Sequence, residues 1–293
     1  MERIVLCVAG KVNLFLRVLT PEIEGYHQVE TLYQSVDLRD RLEITRGGDG
    51  IVLETSGIET PAGPHNLAVM AADAYFEALG RKDSVHIRLE KNIPVGAGLG
   101  GGSADAAAVL AGLNVLFDDI LSEAELIAVA GKLGSDVPFA LKGGTAIGWS
   151  RGGRLLTLSP LPAWHVLICV PDFQMITADA YKFLEEKEGY VRSGAVRYDP
   201  PDFYSLVTLK DHAVNDFEAV IMKKHPVLSE IKDTLLQLGG HVALLSGSGS
   251  AVFALFSSQR DCVGCQKALK DRFDYQIVTT RLASEGMYVE ELD

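Results

Sequence analysis

The sequence predicts an α+β protein, and three observations carry that prediction. Segments with the two-residue alternation of strands are interleaved with segments of helical spacing along the whole chain. Two strands flanking the Ser-Gly-Ser-Gly-Ser run at 246–250 are adjacent, with no helix between them. The 293 residues suffice for one large core or two ordinary ones, and Pro160 and Pro162 mark the best boundary. The expected arrangement is a sheet with helices on one face, divided into residues 1–160 and 161–293.

Taken in order, the first 20 residues alternate in two phases broken at Gly10. After the break Val12, Leu14, Leu16 and Val18 share one face, and Lys11, Asn13, Phe15 and Arg17 the other. Lys11 and Asn13 therefore point the same way, about 7 Å apart along the strand. A turn at Gly25-Tyr26-His27 leads into a second alternating strand with Val29, Thr31 and Tyr33 on one face. Further strands are expected at 36–44 and 51–54, split by a turn over 46–50. Asn66 is a plausible N-cap for a helix burying Leu67, Met70, Ala71, Ala74, Tyr75 and Ala78, which ends at Gly80. A short strand with Val85, Ile87 and Leu89 alternating then runs into Pro94.

Residues 94–113 hold the densest local signal. Gly96, Gly98, Gly100, Gly101 and Gly102 allow tight turns and close approach of a ligand to the backbone. Ser103 opens an alanine-rich helix whose N-terminus would present unpaired N–H groups and the positive end of the helix dipole. That pairing favours an anion, most simply nucleotide phosphates. No lysine follows the glycines, so this is not a Walker A loop. A dinucleotide fingerprint can be laid over 96–101, but no β-α-β start precedes it. The competing reading is a glycine-rich turn before a helix capped by Ser103.

A capping box, Ser122 with Glu125, starts the next helix, which stops at Gly134. Asp136 follows at a corner with Pro138 just behind it, where an aspartate is first of all a helix cap. Strands are expected at 145–149, 155–158 and 165–170, a helix at 177–186 and a polar irregular stretch at 187–209. Helices at 216–224 and 228–238, the strand pair around 246–250, another helix and a last strand near 276–281 complete the chain. The 246–250 run reads first as a hairpin and second as another phosphate-facing loop.

Composition bounds the function. A formal net charge of −12 argues against a general nucleic-acid binder or a protein of anionic membrane surfaces. It leaves an anionic small substrate open, because local lysines and N–H groups can override the global sign. No apolar run approaches the roughly 20 residues of a membrane span, and the N-terminus reads as a buried strand of a cytoplasmic protein. Cys7, Cys169, Cys262 and Cys265 do not make a disulfide framework. Cys262 and Cys265 form a lone CxxC on a helical stretch and read as buried small hydrophobes.

Together Lys11, the glycine loop and Asp136 resemble the GHMP kinases. The segments 10–16, 94–108 and 246–253 correspond, in order, to that family's three motifs. GKVNLFL, EGYHQVETLYQSVDLRDRLEI, LGSDVPFALKGGTAIGWSRG and NDFE extend the likeness to the branch of the family that acts on a cytidine-diphosphate sugar alcohol of the methylerythritol phosphate route to isoprenoid precursors. The resemblance implies a two-domain architecture, ribosomal-S5-like then ferredoxin-like, with the active site between. It implies that Asp136 is the catalytic aspartate and Lys11 its partner. By the same likeness Asn13, Tyr26, His27 and Tyr181 hold the substrate, Tyr26 and Tyr181 as aromatic partners of cytosine. Asn66, Leu67 and Lys91 fall in the adenosine pocket, and Pro94, Gly98, Leu99, Gly100, Gly101, Gly102 and Ser103 in the ATP phosphate loop. ATP and Mg²⁺ are the expected cofactors, Ser103 offering the hydroxyl nearest the metal. Asp136 either takes the hydroxyl's proton or only orients the hydroxyl. Ala9-Gly10 stands where the family has Pro-Ala, and Glu22-Ile23-Glu24 precedes Gly25-Tyr26-His27 where it has Arg-Pro-Asp. Ser103-Ala104 and Gly152-Gly153 replace the family's Ser-Ser and Gly-Glu. Two alternatives remain: another small-molecule kinase of the family, without the cytosine clamp, or a non-catalytic ATP-binding sensor on the same fold.

Overall fold

The computed structural model describes residues 1–21, 27–150, 152–187 and 203–293. Its first strand, β1 (Arg3–Pro21), is continuous through Gly10, where a register shift against β2 (His27–Arg46) takes the place of a break. A second shift between Asn13 and Phe15 changes which face points inward. Val12, Leu14 and Phe15 therefore pack in one core, whereas Leu16 and Val18 pack in another. The single apolar face expected for 12–18 is thus corrected: a bulge lets one strand feed two cores.

β2 is one strand of 20 residues, and its two ends take different partners. Residues 41–46 pair with β4 (Val85–Lys91), which lies parallel to β3 (Ile51–Gly57). Residues 29–34 pair with β5 (Thr145–Ser150), which continues to β6 (Arg154–Thr157). Between these strands come α1 (Leu67–Ala78), α2 (Gly101–Leu116), α3 (Glu123–Leu133) and α4 (Val137–Lys142). Helix α2 is buried nearly all round, and its small residues let it sit close to the sheet. A Cβ on Gly112 would come within 2.8 Å of both Ile44 and Leu6. The Ser122–Glu125 capping box of α3 is present as expected. Helix α2, however, begins at Gly101 with Gly100 as its N-cap, so Ser103 lies inside the first turn and caps nothing.

The second sheet has the order β10–β7–β9–β8, from β7 (His165–Val170), β8 (Val242–Leu245), β9 (Val252–Phe256) and β10 (Gln276–Arg281), all antiparallel. Alternation along β7 explains its place: Val166 and Ile168 face the core shared with the first sheet, while Leu167 and Cys169 face a second core. That second core is closed by α5 (Thr177–Glu185), α7 (Glu218–Lys224), α8 (Pro226–Gln237) and α9 (Gln259–Lys270). Cys262 and Cys265 are buried in it, and burial pushes both thiols up to about 11. The 246–250 run is the loop of the β8–β9 hairpin.

Two elements depart from the sequence expectation. The stretch read as irregular to residue 209 contains the start of a helix, α6 (Leu206–His212), capped by Ser205. A strand beyond 281, β11 (Met287–Leu292), returns the chain to the first sheet and pairs with β1. Its outward residues are polar or exposed, so it lacked the half-buried alternation that marks a strand in sequence. Among the described residues no helix is long and apolar enough to cross a membrane.

Candidate active site

A cleft of about 570 Å³ opens between the two sheets, and the glycine loop forms one wall of it. Gly96, Gly98 and Gly100 all have positive φ, the backbone state that glycine adopts without penalty. The loop is anchored from both sheets. Lys11 N–H donates to Leu99 O at 2.8 Å, Ala251 N–H to Ala97 O at 3.1 Å, and the Ser246 hydroxyl to Gly98 O at 2.9 Å. A Cβ on Gly98 would fall 2.0 Å from the Ser246 carbonyl oxygen, so the two loops meet only because residue 98 is glycine. The first turn of α2 follows directly, with backbone N–H groups that have no partner within the helix.

Lys11, Asn13 and Asp136 converge across this cleft. Lys11 Nζ donates to Asn13 Oδ1 at 2.7 Å and lies 3.4 Å from Asp136 Oδ2. Asn13 in turn donates to the Thr31 hydroxyl at 2.8 Å, and that hydroxyl donates to Phe15 O at 2.7 Å. The chain of bonds fixes the amide with its oxygen toward the lysine. Lys11 is 6 % exposed, whereas the Asp136 side chain is 30 % exposed and meets the cleft. Asp136 occupies the N-cap position of α4 but makes no capping bond. Its Oδ1 accepts instead from the Tyr33 hydroxyl at 2.9 Å.

The residues expected around adenosine line the same cleft, with their polar atoms partly committed. Asn66 Oδ1 accepts from Ala68 N–H at 2.9 Å and its amide donates to Pro61 O at 2.8 Å, so it is the N-cap expected for α1. Leu67 packs against the loop at Gly102. The Lys91 ammonium is buried between Asp40 and Asp105, 2.8 Å from Asp105 Oδ2. Asp40 also accepts from the N–H groups of Asn92 and Ile93, at 2.6 and 2.8 Å. Burial pushes the Asp105 carboxyl up to about 8; Lys91 draws it down and Asp40 adds to the rise. Its Oδ1 has no hydrogen-bond partner among the described residues.

At the other end of the cleft Tyr181 stacks on His27, with ring centroids 5.3 Å apart and planes 5° off parallel. His27 Nε2 lies 2.7 Å from Glu185 Oε1, and the edge of Phe217 meets the Tyr181 ring at 5.0 Å. Burial, with Asp136 adding to it, pushes the Tyr181 phenol up to about 12, so the ring stays neutral. Pro94 and Ser103 line the cleft with the glycines, and Ser103 Oγ faces Gly134 beside the Asp136 corner. Tyr26 lies outside the described residues.

Sequence reasoning missed Tyr33, Thr31, Asp40 and Asp105. The alternation placed Thr31 and Tyr33 on one face but gave neither a role, since both look like ordinary strand residues. Asp40 and Asp105 carry no local signal at all, because only the fold brings them to Lys91.

Comparison with known proteins bears on this geometry. The profile of the GHMP kinases N terminal domain matches residues 66–144 and that of the GHMP kinases C terminal region matches 201–274. A 4-diphosphocytidyl-2-C-methyl-D-erythritol kinase of Moorella thermoacetica is 39 % identical over 96 % of this chain and 100 % of its own. The chain belongs to the GHMP kinases. A crystal structure of 4-(cytidine 5'-diphospho)-2C-methyl-D-erythritol kinase superposes with a TM-score of 0.79 at 32 % identity, covering 95 % of this chain and 99 % of that one. A homoserine kinase from Cytophaga hutchinsonii shares the fold, with a TM-score of 0.74 at 19 % identity over 99 % of this chain and 98 % of that one. As a GHMP kinase the chain is an ATP-dependent small-molecule phosphotransferase of α+β architecture, as the sequence led us to expect.

Proposed function

We propose that this GHMP kinase transfers the γ-phosphoryl group of ATP to a hydroxyl of 4-diphosphocytidyl-2-C-methyl-D-erythritol, a step in the methylerythritol phosphate route to isoprenoid precursors. The observation that carries the proposal is the Lys11–Asp136 pair, set in one cleft between the glycine loop and the Tyr181 ring. The relatives that act on this compound, matched over nearly the whole chain, support the choice of substrate.

In this reading the α2 N-terminus and the loop at 98–103 hold the β- and γ-phosphates, through N–H groups and the helix dipole. Asn66, Leu67 and the Lys91 segment flank the adenosine. The substrate hydroxyl oxygen attacks the γ-phosphorus, the bond to the β–γ bridging oxygen breaks, and ADP leaves. The hydroxyl proton passes to the Asp136 carboxylate, and the Lys11 ammonium stands beside the charge that develops on the transferred group. His27 and Tyr181 hold the cytosine end with Tyr26, and Asn13 fixes the lysine.

The donor set fits a magnesium ion carried in by the nucleotide. Among the described residues no cluster of three or more acidic, histidine or cysteine side chains could cage a metal. Mg²⁺ commonly takes few protein ligands and several phosphate and water oxygens, so the Ser103 hydroxyl would suffice as the protein's share. The ion supplies charge neutralisation on the phosphates.

The test is coupled ADP release with Mg-ATP and four alcohols: the cytidine compound, mevalonate, homoserine and galactose. Turnover confined to the cytidine compound is expected. Turnover on another alcohol instead would remove the cytosine-binding roles of His27 and Tyr181 while leaving the phosphate loop.

A further inference from the structure

We infer that Tyr33 is a positioning residue for phosphoryl transfer: its phenol holds the Asp136 carboxylate in the rotamer that faces Lys11 and the cleft. The inference rests on the catalytic role proposed above for Asp136.

The competition is local. Asp136 sits at the N-cap of α4, where an aspartate ordinarily turns back to accept from N–H groups of its own helix. Here it makes no such bond. One carboxylate oxygen accepts from the Tyr33 hydroxyl at 2.9 Å, and the other faces Lys11 Nζ at 3.4 Å. Each oxygen thus has its own partner, and both partners hold the carboxylate away from the cap.

Tyr33 is built to do this. It lies directly across from Asn13 in the β1–β2 register, so the phenol and the lysine-fixing amide approach from one sheet face. The ring is 3 % exposed and stacks on Phe139, with centroids 4.7 Å apart and planes 20° off parallel. Phe139 belongs to α4, the helix that Asp136 precedes, so ring and carboxylate are referred to the same short element. Glycines also stand close against the ring. A Cβ on Gly148 would lie 2.6 Å from the ring, and one on Gly152 2.4 Å from the phenol oxygen. Gly152 also has φ +93, where other residues are strained. Burial first, and Asp136 next, push the Tyr33 phenol well above its ordinary value. It therefore remains a neutral donor at any working pH.

A hydrogen bond donated to a charged acceptor sets the scale, and Tyr33→Phe is expected to lower kcat between about ten- and one-hundred-fold. KM for ATP and for the alcohol should stay within about twofold, because Tyr33 acts through Asp136 and the rest of the site still binds both substrates. In an Asp136→Asn background the same Tyr33→Phe change should cost nothing further, since the group it positions is gone. An unchanged kcat in Tyr33→Phe overturns the inference. So does an equal fold-loss in both backgrounds, which is the signature of a merely structural ring. If the wild type turns over a different alcohol from the cytidine compound, the substrate reading fails, and the same comparison on that alcohol still decides the role of Tyr33.

Discussion

Replacing Gly98 by alanine tests how the two loops that wall the cleft are held together. Residue 98 has φ +78, and an L-residue in the left-handed region costs about 1–2 kcal/mol. The added Cβ would lie 2.0 Å from the Ser246 carbonyl oxygen and 3.1 Å from that of Gly249, both backbone atoms without rotamers to change. Relief requires the loops to part by about 1.5 Å, the overlap with ordinary contact distance. Parting them stretches the Ser246 hydroxyl bond to Gly98 O and the Ala251 bond to Ala97 O. Each such bond is worth about 0.5–1.5 kcal/mol net. The expected loss is therefore about 2–5 kcal/mol, read from urea denaturation, with a raised KM for ATP wherever the fold survives. Gly131→Ala is the control. It lies exposed in the last turn of α3 with nothing within 4 Å of the new atom. It should stabilise by about 0.5–1 kcal/mol, the ordinary gain of alanine over glycine in a helix. A Gly98→Ala protein within about 0.5 kcal/mol of wild type, with the same KM, would refute the reasoning.

Further outcomes concern the buried charges beside the loop. Lys91→Met leaves Asp40 and Asp105 facing each other without their ammonium, and denaturation should record a loss of about 3–5 kcal/mol. A variant of normal stability with only a raised KM for ATP would mean that Lys91 serves the nucleotide instead. Asp105 tests the sign of the linkage. Its carboxyl is raised from 3.8 to about 8 by burial, so the folded state keeps a proton that the unfolded chain has lost. Wild-type stability should therefore fall, through this group, as pH rises from about 4 to about 8, and level off above that. Asp105→Asn removes the proton and with it that slope. Urea midpoints across the range should gain on wild type as pH rises, and parallel curves would contradict the assignment.

The parts of the site that were legible in the sequence are those written in consecutive residues. The glycines at 96–102 announce a backbone that must turn through positive φ, and three of them do. The 246–250 run was legible as a hairpin for the same reason. The capping box at Ser122 and the Asn66 cap were readable because a cap is a contact between near neighbours. Asp136 shows the limit of that logic. Its position is a cap by every local rule, yet its carboxylate is drawn away by Tyr33 and Lys11, which stand 103 and 125 residues distant in sequence. The pairing of Asp40 and Asp105 with Lys91 was hidden likewise, since ionic partners on different elements have no spacing rule. Strand β11 was missed because it is an exposed edge, and the bulge after Asn13 because alternation alone does not reveal an inserted residue. What was lost, then, is what depends on contacts between distant segments.

The most direct test of the account is turnover of 4-diphosphocytidyl-2-C-methyl-D-erythritol with Mg-ATP by the wild type and by Asp136→Asn, with ATP binding measured on both. The account predicts ADP formation by the wild type, a kcat at least about a hundredfold lower in Asp136→Asn, and equal ATP affinity. Full turnover in Asp136→Asn, or none in a wild type that still binds ATP, would contradict it.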